Sequence, residues 1–152
     1  RERWCRMIKE FSIKTSGDMN LSANFKVKEF ACKDGSDKVL IDINLVEKLQ
    51  ELRNYLGKPI TITSGYRTDS YNRQCGGAEN SYHIKGQAAD IYSSDIKPII
   101  IALWAEFNGL GGIGVYLDRS QEFVHLDTRS QKYRWVNRNG TNQQIKSVLD
   151  LL

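Results

Sequence analysis

The sequence predicts an α+β fold with a small central antiparallel sheet flanked by helices. Residues 42–57, "DINLVEKLQELRNYLG", repeat apolar side chains at helical spacing. The stretches "GGIGVYL" and "EFVHLDT" are rich in strand-forming residues and lie close together, as the two arms of a hairpin do. Helices interspersed with short strands and hairpin-like connections are typical of α+β proteins.

Length and composition indicate one globular domain. A chain of 152 residues can bury roughly two-thirds of its unfolded surface, and its 40% apolar and 26% charged content is ordinary. The sequence contains no run of about 18 apolar residues, so it predicts no membrane span. "RERWCRMIKE" lacks the apolar core and the cleavage site of a signal peptide. We interpret residues 1–23 as a lead-in segment, with the end of an upstream region as one reading, and residues 24–152 as one domain.

Charge and cysteine content narrow the function classes. The net charge of +4 comes from basic residues that are scattered along the chain, whereas nucleic-acid binders concentrate them on one face, so no nucleic-acid partner is expected. A basic surface instead favours adsorption to an anionic polymer. Cys5, Cys32 and Cys75 are odd in number and lack metal-type spacing, which predicts unpaired thiols.

The N-terminal half reads as a lead-in, a strand-like stretch and a helix. The first twenty residues predict an irregular or weakly extended segment, and "FKVKEFAC" alternates apolar and polar residues before the turn signal "KDGSD". "KPITITSGYR" is a short β-branched strand that ends in a loop. Between them lies the strongest helix, which Gly57 ends and whose apolar face is formed by Leu45, Val46, Leu49, Leu52 and Leu56.

The C-terminal half continues with alternating elements. Residues 68–82 are polar and contain glycine, which predicts a surface loop, and "QAADIY" predicts a strand. A buried helix should begin with Asp95 as N-cap and Pro98 in its first turn, with Trp104 and Phe107 in the core. After the hairpin, "RWVNRNG" either borders a cleft or covers the sheet, and "TNQQIKSVLDLL" predicts a closing helix.

Both histidines of the chain lie near carboxylates and small residues. Between His83 and Asp90 an extended chain would span roughly 23 Å, so two ligands of one ion require the segment to double back, which Gly86 permits. Ala88 shares a strand face with Asp90 and leaves room beside it. His125 supplies the third ligand from a strand.

Two imidazoles and a carboxylate form a ligand set that Zn²⁺ prefers. Three protein ligands leave a fourth position for water, which is typical of catalytic rather than structural zinc. Taken singly, each histidine could also be an ordinary surface or core side chain. The sequence therefore predicts one zinc site per chain from His83, Asp90 and His125.

Three motifs together resemble the zinc D-Ala-D-Ala carboxypeptidase-like peptidases. They are "SGYR" (64–67), "SYHIKGQAAD" (81–90) and "FVHLD" (123–127), within a likeness that runs from about Asn24 to Trp135. The family includes cell-wall D,D-carboxypeptidases, phage endopeptidases and the hedgehog signalling domain, which lacks peptidase activity. "NFKVKEFACKDGSD", "GGA" (76–78) and "GGIGVY" (111–116) look like the branch of phage and bacterial wall-lytic proteins. The signature Ser-x-His-x-x-Gly-x-Ala-x-Asp is met by Ser81, His83, Gly86, Ala88 and Asp90.

The resemblance implies a hedgehog/D,D-peptidase-like fold, the same three zinc ligands and hydrolysis of an amide in the peptidoglycan stem peptide at the bacterial cell wall. It implies that Arg67 binds a carboxylate or carbonyl oxygen, for which the forked guanidinium is suited. Ser81 and Tyr82 are assigned to substrate binding beside it. The implied partner is the stem peptide, with no membrane, and the chain acts as a monomer or as a module of a larger phage or bacterial protein.

The general base is open between two carboxylates. Many relatives carry an acid three residues before the last zinc histidine, where this chain has Glu122. Others carry a histidine two residues before it, where this chain has Phe123. Asp127 shares a strand face with His125, so it is either the base, a residue that orients a ligand, or a partner of Arg129. We assign Glu122 as base, with Asp127 as its rival.

Two other functions fit parts of the sequence. The domain could be a zinc-bearing cell-wall binding module without catalysis, as in the hedgehog branch. Alternatively, Cys75 with His83 and Asp90 would form a thiol hydrolase site. Sensitivity to a chelator or to a thiol alkylator separates the metal and thiol readings.

Overall fold

The computed structural model describes residues 7–118 and 120–152, which form an α+β fold. The α+β class predicted from the sequence is confirmed. Its helices are α1 (Ile13–Ser16), α2 (Ile43–Leu56), α3 (Asp69–Gln74) and α4 (Pro98–Phe107), with 3-10 helices at Val27–Phe30 and Val148–Leu151. Its strands are β1 (Ile8–Ser12), β2 (Lys38–Asp42), β3 (Thr61–Ser64), β4 (Ala88–Tyr92), β5 (Gly112–Asp118), β6 (Gln121–Asp127), β7 (Tyr133–Arg138) and β8 (Thr141–Ile145).

A mixed sheet forms the centre of the described part of the chain, with the strand order β3-β4-β6-β5-β7-β8. Strands β5 and β6 form the predicted hairpin, and "QAADIY" contributes β4. The pairing of β5 with β7 is parallel, so the expectation of a purely antiparallel sheet is wrong at that pair. Strand β6 pairs with β4 on one edge and with β5 on the other, so neither edge of β6 is free for β7. Strand β7 reverses direction after β6 and pairs with the free edge of β5.

The two faces of this sheet differ in chemistry because side chains alternate along each strand. One face is apolar, packs against α4 and includes Ala89, Ile91, Ile113, Val124 and Leu126, all of which are buried. The opposite face carries Asp90, His125 and Asp127. The sheet thereby separates the hydrophobic core from a cluster of ionisable groups.

Helix α2 lies where the sequence predicts it. The Asp42 carboxylate caps its N-terminus by accepting a hydrogen bond from the Asn44 amide at 2.9 Å. Gly57 ends it in the left-handed conformation, with φ of 66°. Leu45, Val46, Leu49 and Leu52 are buried, and Leu56 packs partly buried against them.

The lead-in is more regular than expected over its described part. Strand β1 pairs antiparallel with β2 in a separate two-stranded sheet, from Ile8 opposite Asp42 to Ser12 opposite Lys38. Residues 1–6, including Cys5, lie outside the described residues. The division of the chain at residue 23 stays a prediction.

Two polar segments form helices that the sequence pattern did not indicate. Residues 68–82 contain α3, which Thr68 caps by accepting a hydrogen bond from the Tyr71 amide, so the predicted loop is only partly a loop. "FKVKEFAC" forms a 3-10 turn, not an extended stretch, because the Glu29 carboxylate accepts a hydrogen bond from the Lys26 amide and closes the first turn. In both, local side-chain capping decides the structure.

The predicted C-terminal helix is wrong, and the preceding helix starts later than expected. "TNQQI" is strand β8, because Asn139 and Gly140 at positive φ turn the chain back along β7. Helix α4 begins at Pro98 with Lys97 at the N-cap, since Asp95 has a left-handed φ of 67°. Phe107 is 70% exposed, so its predicted place in the core is wrong. Trp104 is partly buried and packs against the hydrophobic core.

Among the described residues, no helix has the length and apolar character needed to cross a membrane.

Candidate metal centre

Three buried side chains converge on the polar face of the sheet. One ligand atom from each of His83, Asp90 and His125 lies within 4.8 Å of the others. Asp90 Oδ1 is 3.2 Å from His83 Nε2 and 3.0 Å from His125 Nδ1. Asp90 and His125 stand directly opposite each other on β4 and β6, so sheet register itself brings two of the ligands together.

His83 reaches the cluster from the loop that precedes β4. The Ser81 hydroxyl accepts a hydrogen bond from the His83 amide at 3.2 Å, which starts a series of turns. Gly86 then adopts φ of 75°, and a Cβ at that position would collide with the Leu40 backbone. The doubled-back segment expected from the sequence is therefore present, and glycine is required at its tightest point.

The remaining nitrogen of each imidazole ring is held by an acceptor. His83 Nδ1 donates to the Gly65 carbonyl oxygen at 2.7 Å, and His125 Nε2 lies 2.7 Å from Asp127 Oδ2. A carbonyl or carboxylate oxygen can only accept, so these ring nitrogens carry the protons. His83 Nε2 and His125 Nδ1 are thus directed at the centre of the cluster, as metal-binding histidines require.

Asp127 is fully buried and saturated with hydrogen bonds. The Arg129 guanidinium donates to both of its oxygens, with Nη2 2.6 Å from Oδ2, and the Arg129 amide donates to Oδ1. Burial raises the pKa of Asp127, but the hydrogen bonds from His125 and Arg129 outweigh it and hold that pKa below its usual range. A carboxylate in this state is suited to orienting His125 and is a poor proton acceptor.

Two glycines of "GGIGVY" make room for this arrangement. A Cβ at Gly112, opposite Asp127 in the β5–β6 pair, would collide with the Asp127 carboxylate. A Cβ at Gly114, opposite His125, would collide with the Trp135 indole. The motif therefore has a steric reason that is visible only once the strands are paired.

Glu122 lies on the other face of β6. It precedes His125 by three positions, and in a regular strand an odd offset places two side chains on opposite faces. Glu122 pairs with Leu117 and borders a small cavity with Ile91 and Val124, on the side of α4. The structure therefore does not bring Glu122 to the cluster, and its assignment as general base is not supported.

Arg67 lies beside the cluster, and Tyr82 packs on Arg129, which in turn holds Asp127. Arg67 Nη2 is 3.4 Å from Asp90 Oδ2, while Nε and Nη1 donate to Ser64 and Asn72. The Tyr82 ring lies 4.4 Å from the Arg129 guanidinium carbon. Ser81 acts on the backbone of His83, and no described contact places its hydroxyl at the cluster.

Aromatic side chains line one side of the cluster, and the sequence pattern did not indicate them. Trp135, which lay in a segment with two open interpretations, has its ring centroid 5.0 Å from that of His125. The Trp135 indole N–H donates to the Tyr116 hydroxyl at 3.1 Å, and Arg129 lies over the Trp135 ring. The two glycines opposite Asp127 and His125 were the only sequence signal of space for these side chains.

Cys75 does not form a catalytic pair with His83 in the structure. Both His83 ring nitrogens face other groups, the Gly65 carbonyl and Asp90. Cys75 is exposed and instead raises the pKa of Tyr71 through a hydrogen bond. Within the described residues, Cys32 and Cys75 are free thiols, as predicted.

The protonation of the cluster indicates that it prefers a cation. Burial lowers the pKa of His125, but its hydrogen bonds to the Asp127 and Asp90 carboxylates outweigh burial and raise that pKa to about 9. Burial raises the pKa of Asp90, but the charges and hydrogen bonds of the two histidines outweigh burial and hold that pKa below its usual range. Arg129 already pairs with Asp127, whereas Asp90 Oδ1 faces the two imidazoles, so a proton or a metal ion between these groups would stabilise the buried carboxylate.

Comparisons with known proteins agree with this geometry. The peptidase M15 family matches residues 23–127. "Peptidoglycan L,D-endopeptidase MepK" of Escherichia coli K12 is 41% identical over 95 residues, 58% of this chain and 51% of the relative. "Probable peptidoglycan L,D-endopeptidase MepK" of Haemophilus influenzae is 33% identical over 128 residues, 74% of this chain and 68% of the relative.

"Zinc D-Ala-D-Ala carboxypeptidase" of Streptomyces albus G is 49% identical over 45 residues, which cover 29% of this chain and 18% of the relative. The chain spans about half the length of the Escherichia coli relative. The family match covers most of the chain and contains all three clustered side chains. This chain therefore belongs to the peptidase M15 family.

Proposed function

We propose that this chain is a zinc-dependent peptidoglycan peptidase that hydrolyses an amide bond in the stem peptide. One observation carries the proposal: ligand atoms of His83, Asp90 and His125 lie within 4.8 Å of one another, with the other nitrogen of each ring already bonded. The names of the relatives support a peptidoglycan substrate and a zinc ion.

The donor set fits zinc and leaves room for chemistry. Two neutral imidazole nitrogens and one carboxylate oxygen are common ligands of catalytic zinc, which keeps a further position open. A zinc ion held by these three residues would supply a Lewis acid for the amide carbonyl and a bound water that loses a proton near neutral pH. Asp90 Oδ2 faces the Arg67 guanidinium, which leaves Oδ1 directed at the histidines and available to a metal ion.

Arg67 is proposed to bind the carboxylate or carbonyl oxygen of the substrate. Its guanidinium has five N–H donors, and the hydrogen bonds to Ser64, Asn72 and Asp90 use three of them. Two N–H groups remain for a planar acceptor beside the cluster. The three bonds also fix the plane of the guanidinium, which favours binding in one orientation.

Asp127 is proposed to orient His125, and neither Asp127 nor Glu122 is proposed to accept a proton from water. Asp127 holds the His125 tautomer through Nε2, with Arg129 as its own anchor. Glu122 faces away from the ligands. Tyr82 contributes an aromatic wall over Arg129 at the rim of the site.

The proposed site of action is the bacterial cell wall, and the hedgehog/D,D-peptidase-like arrangement is proposed for the fold. The relatives' names include both an L,D-endopeptidase and a D-Ala-D-Ala carboxypeptidase, so both bond types are tested. The chain is proposed to act as a monomer or as a module of a larger protein. Its net charge of +4 suits an anionic wall polymer.

Digestion of purified peptidoglycan tests the function. Protein loaded with one equivalent of zinc is incubated with peptidoglycan, and mass spectrometry of the soluble fragments identifies the new termini. We expect new stem-peptide termini that disappear after chelation, return with zinc and are absent from the His83→Ala variant.

A non-catalytic binding module is the second candidate, because no acidic side chain other than Asp90 and Asp127 is found at the cluster among the described residues. Sedimentation of the zinc-loaded protein with peptidoglycan, without any new termini, would contradict the peptidase proposal and favour that module.

A further inference from the structure

Three aromatic side chains line the sheet face beside the metal cluster. Tyr116 and Phe123 stand opposite each other on β5 and β6, and their rings stack 4.3 Å apart at 9°. Phe123 shares its face with His125, two residues along β6. Trp135 lies between Tyr116 and His125, across the space left by Gly114.

The direction of one hydrogen bond fixes the role that the Tyr116 hydroxyl can play. An indole N–H can only donate, so the Tyr116 oxygen accepts from Trp135 at 3.1 Å. The phenolic hydrogen is therefore directed elsewhere, and within the described part of the chain no side chain accepts it. Tyr116 is half-buried, so part of its side chain is accessible to solvent.

Trp135 connects this side chain to the cluster, because its ring centroid lies 6.4 Å from that of Tyr116 and 5.0 Å from that of His125. Burial is the main reason that the pKa of Tyr116 is raised, and the Asp90 carboxylate raises it further while Arg67 opposes it. The phenol therefore keeps its proton in the pH range where a peptidase works. Its ring is clamped by the Phe123 stack and the Trp135 edge, so little reorganisation is needed when it donates.

We propose that the Tyr116 hydroxyl donates a hydrogen bond to the substrate oxygen that gains negative charge during amide hydrolysis. The inference rests on the proposed peptidase function and gives the last residue of "GGIGVY" a role as a substrate-contacting donor. Arg67 and Tyr116 would then act from two sides of the cluster, Arg67 as a fixed positive charge and Tyr116 as a neutral donor. No proton is transferred in this role.

Tyr116→Phe is the direct test because it keeps the ring, the stack and the volume and removes only the hydroxyl. Tyr55→Phe is the matched control, since Tyr55 is 67% exposed on α2. Zinc content, melting temperature, kcat and KM are measured on the bond that the wild type cleaves. Calorimetry gives the Kd of a phosphinate peptide, in which tetrahedral phosphorus replaces the scissile carbonyl carbon, and of a non-cleavable peptide of the same sequence.

We expect Tyr116→Phe to lose on the order of 100-fold in kcat and a similar factor in phosphinate affinity, because removal of one preorganised donor has that effect. KM, zinc content and affinity for the non-cleavable peptide should stay within about threefold, as in a donor used mainly in the transition state. Tyr55→Phe should match the wild type throughout.

The outcomes separate this inference from the function on which it rests. An active wild type with an equally active Tyr116→Phe variant, or with unchanged phosphinate affinity, refutes the donor and leaves the peptidase proposal standing. Equal losses of affinity for the phosphinate and for the non-cleavable peptide also refute the donor role, because Tyr116 would then bind the ground state as strongly as the transition state. A zinc-loaded wild type that cleaves no stem peptide overturns both.

Discussion

Replacement of Asp127 by asparagine distinguishes an orienting carboxylate from a catalytic base. The substitution preserves shape but places an amide nitrogen at one of the two carboxylate oxygens. His125 Nε2 and Arg129 Nη2 both donate to Oδ2, and the Arg129 amide and Nε donate to Oδ1. Either orientation of the amide therefore turns its NH₂ group against a donor.

The magnitude follows from the bonds that are lost. A hydrogen bond to a charged group contributes about 1.5–3 kcal/mol, and a neutral one about 1 kcal/mol. We expect zinc affinity to fall roughly 10–100-fold, which is about 1.4–2.8 kcal/mol, in the range typical for partners of metal-binding histidines. Arg129 also loses its partner, and because its side chain is 19% exposed, unfolding should become easier by about 2–3 kcal/mol, below the cost at a fully buried pair.

Competition with a chelating dye measures zinc affinity, and turnover is measured separately at saturating zinc. Asp95→Asn is the control, since Asp95 is exposed and its left-handed backbone suits asparagine. An orienting role predicts weak zinc binding with kcat at saturating zinc reduced no more than about tenfold. Unchanged zinc affinity together with a collapse of kcat would show that Asp127 is the base and that the reasoning from hydrogen-bond saturation is wrong.

Three further substitutions or treatments have defined outcomes. Glu106→Gln should lower the unfolding free energy in urea by about 3 kcal/mol, because it breaks a buried pair with Arg134. Although burial raises the pKa of Glu106, hydrogen bonds from Arg134 and the Val148 amide lower it to about 2, below the ordinary 4.5, so wild-type stability should drop as pH falls from 4.5 toward 2 and the variant should lack this step. Glu122→Gln should keep kcat/KM within about threefold, since Glu122 faces α4; a loss near 1,000-fold would restore it as the base. Chelation should abolish peptide cleavage while iodoacetamide, which reaches the exposed Cys75, leaves its rate unchanged; the reverse pattern would support the thiol reading.

The ligands could be predicted from the sequence because their spacing reflects local chain geometry. His83, Gly86 and Asp90 belong to one short segment, and the requirement for a tight return at Gly86 can be read from residue types alone. His125 could be predicted as the third side chain because the chain has only two histidines, which leaves no other imidazole to accompany His83. Helix α2 was equally accessible, since its apolar periodicity and its capping residues agree.

The side chains that support the ligands could not be predicted, because they depend on contacts between distant segments. The Gly65 carbonyl that holds His83 and the Arg129 guanidinium that holds Asp127 leave no periodic signal. The helix predicted where strand β8 lies is wrong for a related reason. The polar residues of β8 are compatible with a helix and with a strand, and antiparallel pairing with β7 makes the segment a strand. Tertiary contact, rather than local preference, determines these features.

Register in β6 explains why one acid accompanies His125 and the other does not. The β5–β6 ladder runs without interruption from Gly112 opposite Asp127 to Asp118 opposite Gln121, so side chains alternate strictly along it. An acid three residues before a ligand can reach the same ion only if a bulge between them resets the alternation. No bulge interrupts this ladder, and Phe123 occupies the metal-side position before His125 and stacks on Tyr116. Next to Phe123 on the metal side of the sheet, the polar group is therefore the Tyr116 hydroxyl and not a carboxylate. For this reason, substitution of Tyr116 is more informative about catalysis than substitution of Glu122.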